Sequence, residues 1–328
     1  MFQNKNVLVT GGTGMIGREL VLLLKERGAN VTATSFDNFN VSEDSNFNEV
    51  KFVFGDLRDP NFCSQITKEM EFVFHVAGIK GSPKMSLEKP STFFVNTALF
   101  NLNLIEASRV SGVKHLLYTS SIGVYAPSEV FHEESVWKTF PSDNDRFAGW
   151  AKRMGELHLE ANKIEYGWNS TYIVRPANVY GNWDNFDPET AMVIPSLIAR
   201  ISAGENPLKV WGDGSAIRDF VHAHDVARAM IFVVENGINE PVNIGSGVGV
   251  SIREIAESLA RINKGLEIVW DTDKPQGDLK RILDMSKLET YGFKNTVSLD
   301  EGLRKVSNWF NKQDKTKSEK YNAFKEIR

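Results

Sequence analysis

Three glycines spaced three residues apart lie close to the start of the chain, between a short apolar run and a helical pattern. The run covers residues 5–10, the motif reads Gly11-x-x-Gly14-x-x-Gly17, and an apolar helical face follows until Gly28. Glycines at this spacing allow a tight turn and let the backbone approach a pyrophosphate, which then binds at the helix N-terminus. The motif therefore predicts a dinucleotide-binding unit of strand, turn and helix.

Apolar runs and helical patterns continue to alternate through the first 180 residues. We predict further strands near residues 30–35, 50–54, 72–76, 114–119 and 171–174, with helices near 90–111 and 149–166. Strands that alternate with helices and are apolar on both faces form a parallel sheet that is covered on both sides. The predicted fold class is therefore α/β, with a doubly wound parallel sheet of the Rossmann type over residues 1–180.

The pattern changes after about residue 180, where shorter strands separate the helices. Strands are predicted near residues 208–211, 218–221 and 241–244, and helices near 189–203, 224–235 and 251–263. We interpret residues 181–310 as mainly a smaller C-terminal α/β substrate lobe, some of whose segments return to the first domain. Residues 311–328 carry six basic and three acidic side chains and are predicted to be a charged tail.

Composition limits the partners and the environment that suit this chain. Apolar residues make up 41% and the net charge is −4, which is typical of a folded protein and gives no electrostatic reason to bind nucleic acid or an anionic membrane. The single cysteine excludes an internal disulfide and favours a reducing compartment. No apolar run approaches the roughly 18 residues of a membrane span, and the early first strand leaves no room for a signal peptide. We expect a cytoplasmic protein.

The end of the second predicted strand indicates which dinucleotide to expect. An acidic residue about 20 positions beyond the glycine motif binds the ribose of NAD, whereas an arginine accommodates the 2′-phosphate of NADP. Ser35 and Asp37 occupy this region, and residues 31–44 contain no lysine or arginine. We therefore predict NAD, with NADP as the alternative because Ser35 and Arg18 are able to donate hydrogen bonds to a phosphate.

Two other strand ends offer contacts to the same cofactor. Asp56 and Leu57 follow the third strand and are predicted to reach the adenine, although Asp56 is equally suited to cap the next helix. Ala77 and Gly78 follow the fourth strand, where small residues allow the nicotinamide to approach closely. His75, just before them, is interpreted as a structural histidine.

The motifs taken together resemble the extended short-chain dehydrogenase/reductase family of nucleotide-sugar epimerases, dehydratases and reductases. The resemblance covers residues 6 to about 310 and rests on GGTGMIG (11–17), GDLRD (55–59), HVAG (75–78), VNTALFNLNLIEAS (95–108), YTSSIGVY (118–125), RPANVYG (175–181) and IRDFVHAHDVARA (217–229). It implies a homodimer in which helices 90–111 and 149–166 of both subunits form a four-helix bundle. The further cofactor contacts that it implies are Thr13, Met15, Ile16, Asn96, Thr119, Lys152 and Arg175.

In the family that this chain resembles, a serine or threonine and a Tyr-x-x-x-Lys motif carry the chemistry. Ser121 matches the serine and Lys152 matches the lysine, but Ala148 stands where the family has tyrosine. A tyrosine accepts a carbinol proton near neutral pH only when its pKa is lowered, which the lysine and a positive nicotinamide achieve. Phe147 is one position out of register and has no hydroxyl. The catalytic base is therefore missing from this chain.

Two explanations for Ala148 are open. The natural protein has tyrosine and this chain carries a Tyr→Ala substitution that traps a bound substrate, or the protein is a naturally inactive relative. The intact segment 149–156, Ser121 and the glycine motif favour the substitution.

The residues around Ser121 also limit the reaction that the resemblance implies. Family dehydratases carry an Asp-Glu pair after the serine, where this chain has Ile122 and Gly123, so 4,6-dehydration is not expected. Residues 179–201 are similar to GDP-fucose synthase-like 4-keto-sugar reductases, but the cysteine and histidine that those enzymes use for epimerisation are replaced, the histidine by Met192. Hydride transfer at C4 of the sugar remains, as a 4-dehydrogenase or 4-ketoreductase. The alternatives are a C4-epimerase and a non-catalytic protein that binds NAD and a nucleotide-sugar.

The expected substrate is a nucleotide-diphosphate sugar, with GDP preferred over UDP or dTDP as the nucleotide. A guanidinium matches phosphate oxygens in bidentate fashion, which favours a diphosphate partner for the arginines, with surface ion pairs as the alternative. No metal is expected, because the histidines His222 and His224 suit a structural role at a helix start. The substrate contacts that the resemblance implies, besides Ser121, are Asn178, Val193, Arg218, Lys274 and Arg281.

Overall fold

A seven-stranded parallel sheet forms the centre of the protein. The computed structural model describes residues 1–36, 45–79, 85, 88–187, 190–273 and 279–313. The strands are β1 Asn6–Thr10, β2 Asn30–Ser35, β3 Lys51–Phe54, β4 Phe72–His75, β5 His115–Thr119, β6 Val130–Phe131, β7 Thr171–Pro176, β8 Asn178–Tyr180, β9 Leu208–Trp211, β10 Ile217–His222, β11 Val242–Ile244, β12 Gly249–Ser251, β13 Ile268–Asp271 and β14 Lys280–Leu283. The central sheet has the order β11-β7-β5-β4-β1-β2-β3. Two predicted site residues, Asp37 and Lys274, and the tail from residue 314 lie outside the described residues.

Helices cover both faces of this sheet. They are α1 Met15–Glu26, α2 Pro60–Ile66, α3 Pro90–Val110, α4 Arg146–Tyr166, α5 Val193–Ser202, α6 Ala223–Glu235, α7 Ile252–Ile262, α8 Ser286–Thr290 and α9 Leu299–Lys312. Alternate residues of β1 point to opposite sides, because Val7 and Val9 join the core under α1 and α6, while Leu8 joins the core under α3 and α4. The predicted doubly wound α/β fold is confirmed.

The second lobe is built around a smaller sheet and its own core. Its strands are ordered β12-β10-β14-β6, with β8 beside β10, and β9 pairs with β13 in a separate two-stranded sheet. Helices α5, α7 and α9 bury their apolar faces together in this lobe. Strand β11 and helix α6 return to the first domain, since β11 extends the central sheet and α6 packs against α1.

The long helix α4 begins three residues earlier than the sequence pattern predicted. The Ser142 hydroxyl caps a short 3₁₀ turn, Asp143–Asp145, which runs directly into α4. At its other end Gly167 adopts a φ of 67°, where a residue without Cβ is favoured. None of the helices in the described ranges has the length and apolar character needed to cross a membrane.

Candidate active site

The glycine turn between β1 and α1 is shaped to take a dinucleotide. Gly11 has a φ of 68°, and a Cβ at this residue would lie 2.9 Å from the Cα of Ala77. A Cβ at Gly17 would overlap the carbonyl oxygen of Gly11, so α1 is able to start this close to β1 only with glycine. Gly14 caps α1 without a side-chain hydrogen bond, which leaves the first N–H groups of the helix to a bound phosphate.

Thr13 and Ser35 lie together where the adenosine ribose is predicted. The hydroxyl oxygens of these residues lie 2.6 Å apart, which ties the glycine turn to the end of β2. Arg18 is buried, donates from Nε to the carbonyl oxygen of Thr13, and stacks with its guanidinium 3.6 Å from the ring centroid of Trp183. The turn therefore presents hydroxyl groups at the position where the ribose is predicted.

Asp56 belongs to a polar cluster rather than to a helix cap. Its carboxylate accepts from the backbone N–H and the guanidinium of Arg58, and Arg58 also donates to Asn96 at 3.1 Å. The helix that follows is capped by Asp59, which accepts from the N–H of Asn61 at 2.8 Å. The capping alternative for Asp56 is therefore wrong. The Asp-Pro pair at residues 59–60 was the available signal, because proline is favoured in the first helical turn.

A buried chain of hydrogen bonds supports the nicotinamide side of the site. The Thr10 hydroxyl accepts from the N–H of Ala77 and lies 2.8 Å from Nδ1 of His75. Nε2 of His75 lies 2.9 Å from Oδ1 of Asn101, so Nε2 carries the ring proton. Burial lowers the pKa of His75 to about 3, which keeps the ring neutral. The prediction of a structural role for His75 is confirmed.

The same series of hydrogen bonds continues to the backbone of α4. The amide group of Asn101 donates to the hydroxyl of Tyr118 at 2.9 Å, and Tyr118 donates to the carbonyl oxygen of Lys152 at 3.1 Å. Sequence reasoning missed Asn101 and Tyr118, which lie inside two of the quoted motifs. These neutral groups link β1, β4, α3 and α4. They therefore fix the backbone of Lys152 relative to Ala77.

Ser121 and Lys152 stand at the end of β5. The Ser121 hydroxyl accepts from the N–H of Gly123 at 3.0 Å, and Nζ of Lys152 donates to the carbonyl oxygen of Thr119 at 2.7 Å. Burial lowers the pKa of the Lys152 ammonium to about 8. The Thr119 hydroxyl is buried and has no hydrogen-bond partner among the described residues, which suits a polar group of a bound cofactor.

Ala148 lies in the first turn of α4 and is half-buried. Its methyl group packs against the small apolar cluster of Met85, Phe93 and Ile79. The side chain has no group that accepts a proton. The structure therefore holds Ser121 and Lys152 at the end of β5 and has no proton-accepting side chain at residue 148.

Arg175 has a different role from the one predicted. Its guanidinium is fully buried and forms a bidentate ion pair with Glu156 at 2.9 and 2.7 Å. It also donates to the hydroxyl of Tyr125 and to the carbonyl oxygen of Glu133. The Glu156 carboxylate raises the pKa of Arg175. The predicted contact between this side chain and the cofactor is wrong, because Arg175 is sealed from the site and links α4 to β7.

The predicted substrate residues lie on the second lobe and its borders. Asn178 donates to the carbonyl oxygen of Asp219 at 3.0 Å, and Val193 is the first residue of α5. Arg218 and Arg281 are register partners on the neighbouring strands β10 and β14. Nη2 of Arg281 donates to Oδ2 of Asp145 at 2.7 Å, an ion pair that sequence reasoning missed because 136 residues separate the two.

The histidines at the start of α6 act as the sequence suggested. Nδ1 of His222 caps the helix by accepting from the N–H of His224, and His224 pairs with Glu19 of α1 at 3.0 Å. Asp225 is buried and accepts from the backbone N–H groups of Thr296 and Val297. The helix-start role is confirmed for His222, and each of the three side chains has its own protein partner.

Comparison with known proteins places these features in a family. A profile of the NAD dependent epimerase/dehydratase family matches residues 7–245. A dTDP-4-dehydro-6-deoxy-D-allose reductase of Streptomyces sp is 31% identical over 93% of this chain and 96% of the relative. GDP-L-fucose synthase 1 of Arabidopsis thaliana is 30% identical over 94% of both chains. The solved structure of a UDP-glucose 4-epimerase from Thermotoga maritima, with UDP-glucose, is 30% identical, covers 94% of this chain and 99% of its own, and has a TM-score of 0.79.

Proposed function

The chain belongs to the NAD dependent epimerase/dehydratase family, and from this membership we propose that it acts on a nucleotide-diphosphate sugar by hydride transfer at C4. The predicted family and the predicted NAD cofactor are confirmed by the match. The observation that carries the proposal is the placement of Ser121 and Lys152 at the end of β5, on the same edge of the parallel sheet as the glycine turn that fits the dinucleotide.

Each of these residues has a defined task in such a reaction. Bound NAD supplies the hydride acceptor, or NADH the donor. The Ser121 hydroxyl hydrogen-bonds the C4 oxygen of the sugar, and Lys152 holds a positive charge beside the site. The carbinol proton needs an acceptor of matched pKa, which Ala148 does not provide. We propose that this chain carries Ala148 in place of a tyrosine and binds its substrate without turning it over.

The class of reaction is proposed from the residues that surround Ser121. Ile122 and Gly123 are unable to transfer protons, which leaves redox chemistry at C4 as a 4-dehydrogenase or 4-ketoreductase. The reductase named among the relatives supports this class. The Thermotoga 4-epimerase supports the alternative, a C4-epimerase in which the hydride returns to the other face of the sugar.

The substrate is open to a direct test. We propose a GDP-sugar, because residues 179–201 are similar to GDP-fucose synthase and because GDP-L-fucose synthase 1 is a relative. The test is native mass spectrometry and co-crystallisation with NAD and a panel of GDP-, UDP- and dTDP-sugars. Retention of a GDP-sugar supports the proposal. Retention of only UDP- or dTDP-sugars contradicts the choice of nucleotide, and retention of none contradicts the proposed function.

Cofactor preference gives a first quantitative expectation. We expect NAD to bind about tenfold more tightly than NADP, because Thr13 and Ser35 present hydroxyls and no basic residue occurs over residues 31–44. Isothermal calorimetry on the unsubstituted chain measures both affinities. Ser35→Arg should shift the ratio towards NADP, whereas the control Ser35→Ala, which adds no charge, should not. NADP bound more tightly than NAD by the unsubstituted chain would contradict the preference.

We further propose that the protein is a homodimer built on α3 and α4. These helices pack against each other and expose apolar side chains along their outer faces, namely Phe94, Leu99 and Leu102 on α3 and Leu157 and Ile164 on α4. Exposed apolar side chains on two neighbouring helices are typical of an interface between subunits.

Light scattering at micromolar concentration should therefore give twice the chain mass of 36.8 kDa. The double variant Leu99→Glu/Leu157→Glu should be monomeric, because the charges would be buried unpaired at the interface. Val248→Glu is the control, since Val248 is 61% exposed and lies in the loop between β11 and β12. A monomeric unsubstituted chain would show that this face does not form a dimer.

A further inference from the structure

Asp145 is the residue just before α4, yet it does not cap that helix. An aspartate at this position normally accepts from the second or third N–H of the helix. Here no side-chain cap is formed, and Oδ2 accepts instead from Nη2 of Arg281 at 2.7 Å and from the hydroxyl of Ser142 at 3.3 Å. The carboxylate is therefore turned away from α4 and towards strand β14 of the second lobe.

This orientation places the carboxylate next to the proposed reaction centre. A Cβ added at Gly123 would lie 3.4 Å from Cβ and Cγ of Asp145 and 3.4 Å from the hydroxyl oxygen of Ser121. A Cβ at Gly123 would thus contact both side chains, and glycine at this residue leaves that space between Asp145 and Ser121 without a side chain. The side chains of Asp145 and Arg281 are 29% and 15% exposed, so the ion pair is largely shielded from solvent but is not sealed in the core.

The other carboxylate oxygen of Asp145, Oδ1, is not used by the ion pair with Arg281. Both described hydrogen bonds of the Asp145 carboxylate use Oδ2, and Oδ1 has no partner among the residues that the structure describes. A carboxylate oxygen accepts strongly from a hydroxyl, and the hydrogen bond is charge-assisted. A ligand carboxylate bound at the same place would be repelled by the Asp145 carboxylate. Water and salt screen this repulsion only weakly, because the site is partly shielded from solvent.

We propose that Asp145 is a specificity-determining residue that selects neutral sugars over uronates. Its Oδ1 accepts a hydrogen bond from a hydroxyl that flanks the C4 carbinol held by Ser121, and its charge disfavours a sugar with a carboxylate at that place. Arg281 is the positioning residue that keeps the carboxylate directed at the site. This inference rests on the proposed nucleotide-sugar function.

The test compares matched neutral and anionic sugars by calorimetry with saturating NAD. The ligands are GDP-mannose with GDP-mannuronate and UDP-glucose with UDP-glucuronate, which differ within each pair only at C6. For the pair that binds, we expect the neutral sugar to bind at least tenfold more tightly. Asp145→Asn removes the charge and keeps the size, so it should reduce that ratio by about tenfold, chiefly by improving the uronate.

Two controls separate this effect from others that the same substitution produces. Free GDP and UDP report whether Arg281, once released from Asp145, simply binds the diphosphate more tightly. Asp143→Asn removes the same charge from an exposed residue of the same turn and should leave the ratio unchanged. Thermal unfolding checks that Asp145→Asn folds, which we expect because this side chain does not cap α4.

The outcomes distinguish this inference from the proposed function. A smaller ratio in Asp145→Asn, with the affinity for free nucleotide unchanged, supports the inference. Sugars that bind with the same ratio in both chains, or a gain that free nucleotide shows equally, would overturn it and leave the proposed function standing. If NAD binds but no nucleotide-sugar does, the proposed function is wrong and the inference falls with it.

Discussion

Ala148→Tyr should turn over the bound nucleotide-sugar at C4 about 10²–10⁴ times faster than the unsubstituted chain. A positioned acid–base group contributes a factor of this size, and the rest of the site is already in place. Ser121 and Lys152 are held by hydrogen bonds to Gly123 and Thr119, and Ala148 lies half-buried in the first turn of α4, four residues before Lys152, where the family that this chain resembles has its tyrosine.

The other tyrosines and the lysine described near Ser121 do not replace the missing base. The hydroxyls of Tyr118 and Tyr125 are buried in hydrogen bonds to Asn101 and Asn243, and burial raises the pKa of both. Lys152 is engaged with the carbonyl oxygen of Thr119. Water entering the space beside Ala148 has neither a matched pKa nor a fixed position, so it should be a poor acceptor.

The measurement is NADH formation, or inversion at C4 followed by NMR, with the sugar found bound to the protein. Ala148→Phe is the matched control, because it restores the ring without the hydroxyl and should stay as slow as the unsubstituted chain. Equal turnover by the unsubstituted chain and Ala148→Tyr would show that another residue is the base. Inactivity of both would favour the non-catalytic binding protein.

Glu156→Ala should lower the free energy of unfolding by about 3–5 kcal/mol. The side chains of Glu156 and Arg175 are each 1% exposed, and their bidentate ion pair joins α4 to β7. Removing the carboxylate leaves the Arg175 guanidinium charged and buried without its counter-ion. Arg175 keeps its hydrogen bonds to the Tyr125 hydroxyl and to the backbone carbonyl oxygen of Glu133. These two acceptors are neutral and do not balance the charge of the guanidinium.

Denaturant unfolding followed by circular dichroism measures this change. Glu129→Ala is the control, because Glu129 pairs with Lys280 at the surface and is 77% exposed, so its loss should cost less than about 1 kcal/mol. The double variant Glu156→Met/Arg175→Met should recover much of the stability, since no charge then remains buried. A loss below about 1 kcal/mol for Glu156→Ala would contradict the structural role assigned to the ion pair.

Local patterns in the sequence determined the fold and the outline of the site. The spacing of Gly11, Gly14 and Gly17 predicted the turn, because the steric requirement at each glycine is set by the backbone beside it. Strand and helix periodicity predicted the central sheet for the same reason. The assignment of Ser121, Lys152 and Ala148 to the site rests on the resemblance of residues 118–125 and 148–156 to family motifs, and it stays a prediction.

The tertiary structure alone decided what the charged side chains do. Arg175 was assigned to the cofactor from its motif, but the fold brings Glu156 against it and buries both. Arg281 was assigned to a diphosphate, and the fold sets Asp145 beside it from 136 residues away. The partner of a charged group depends on which distant segment packs next to it and on how far water is excluded there, and neither quantity is encoded in the residues adjacent to it.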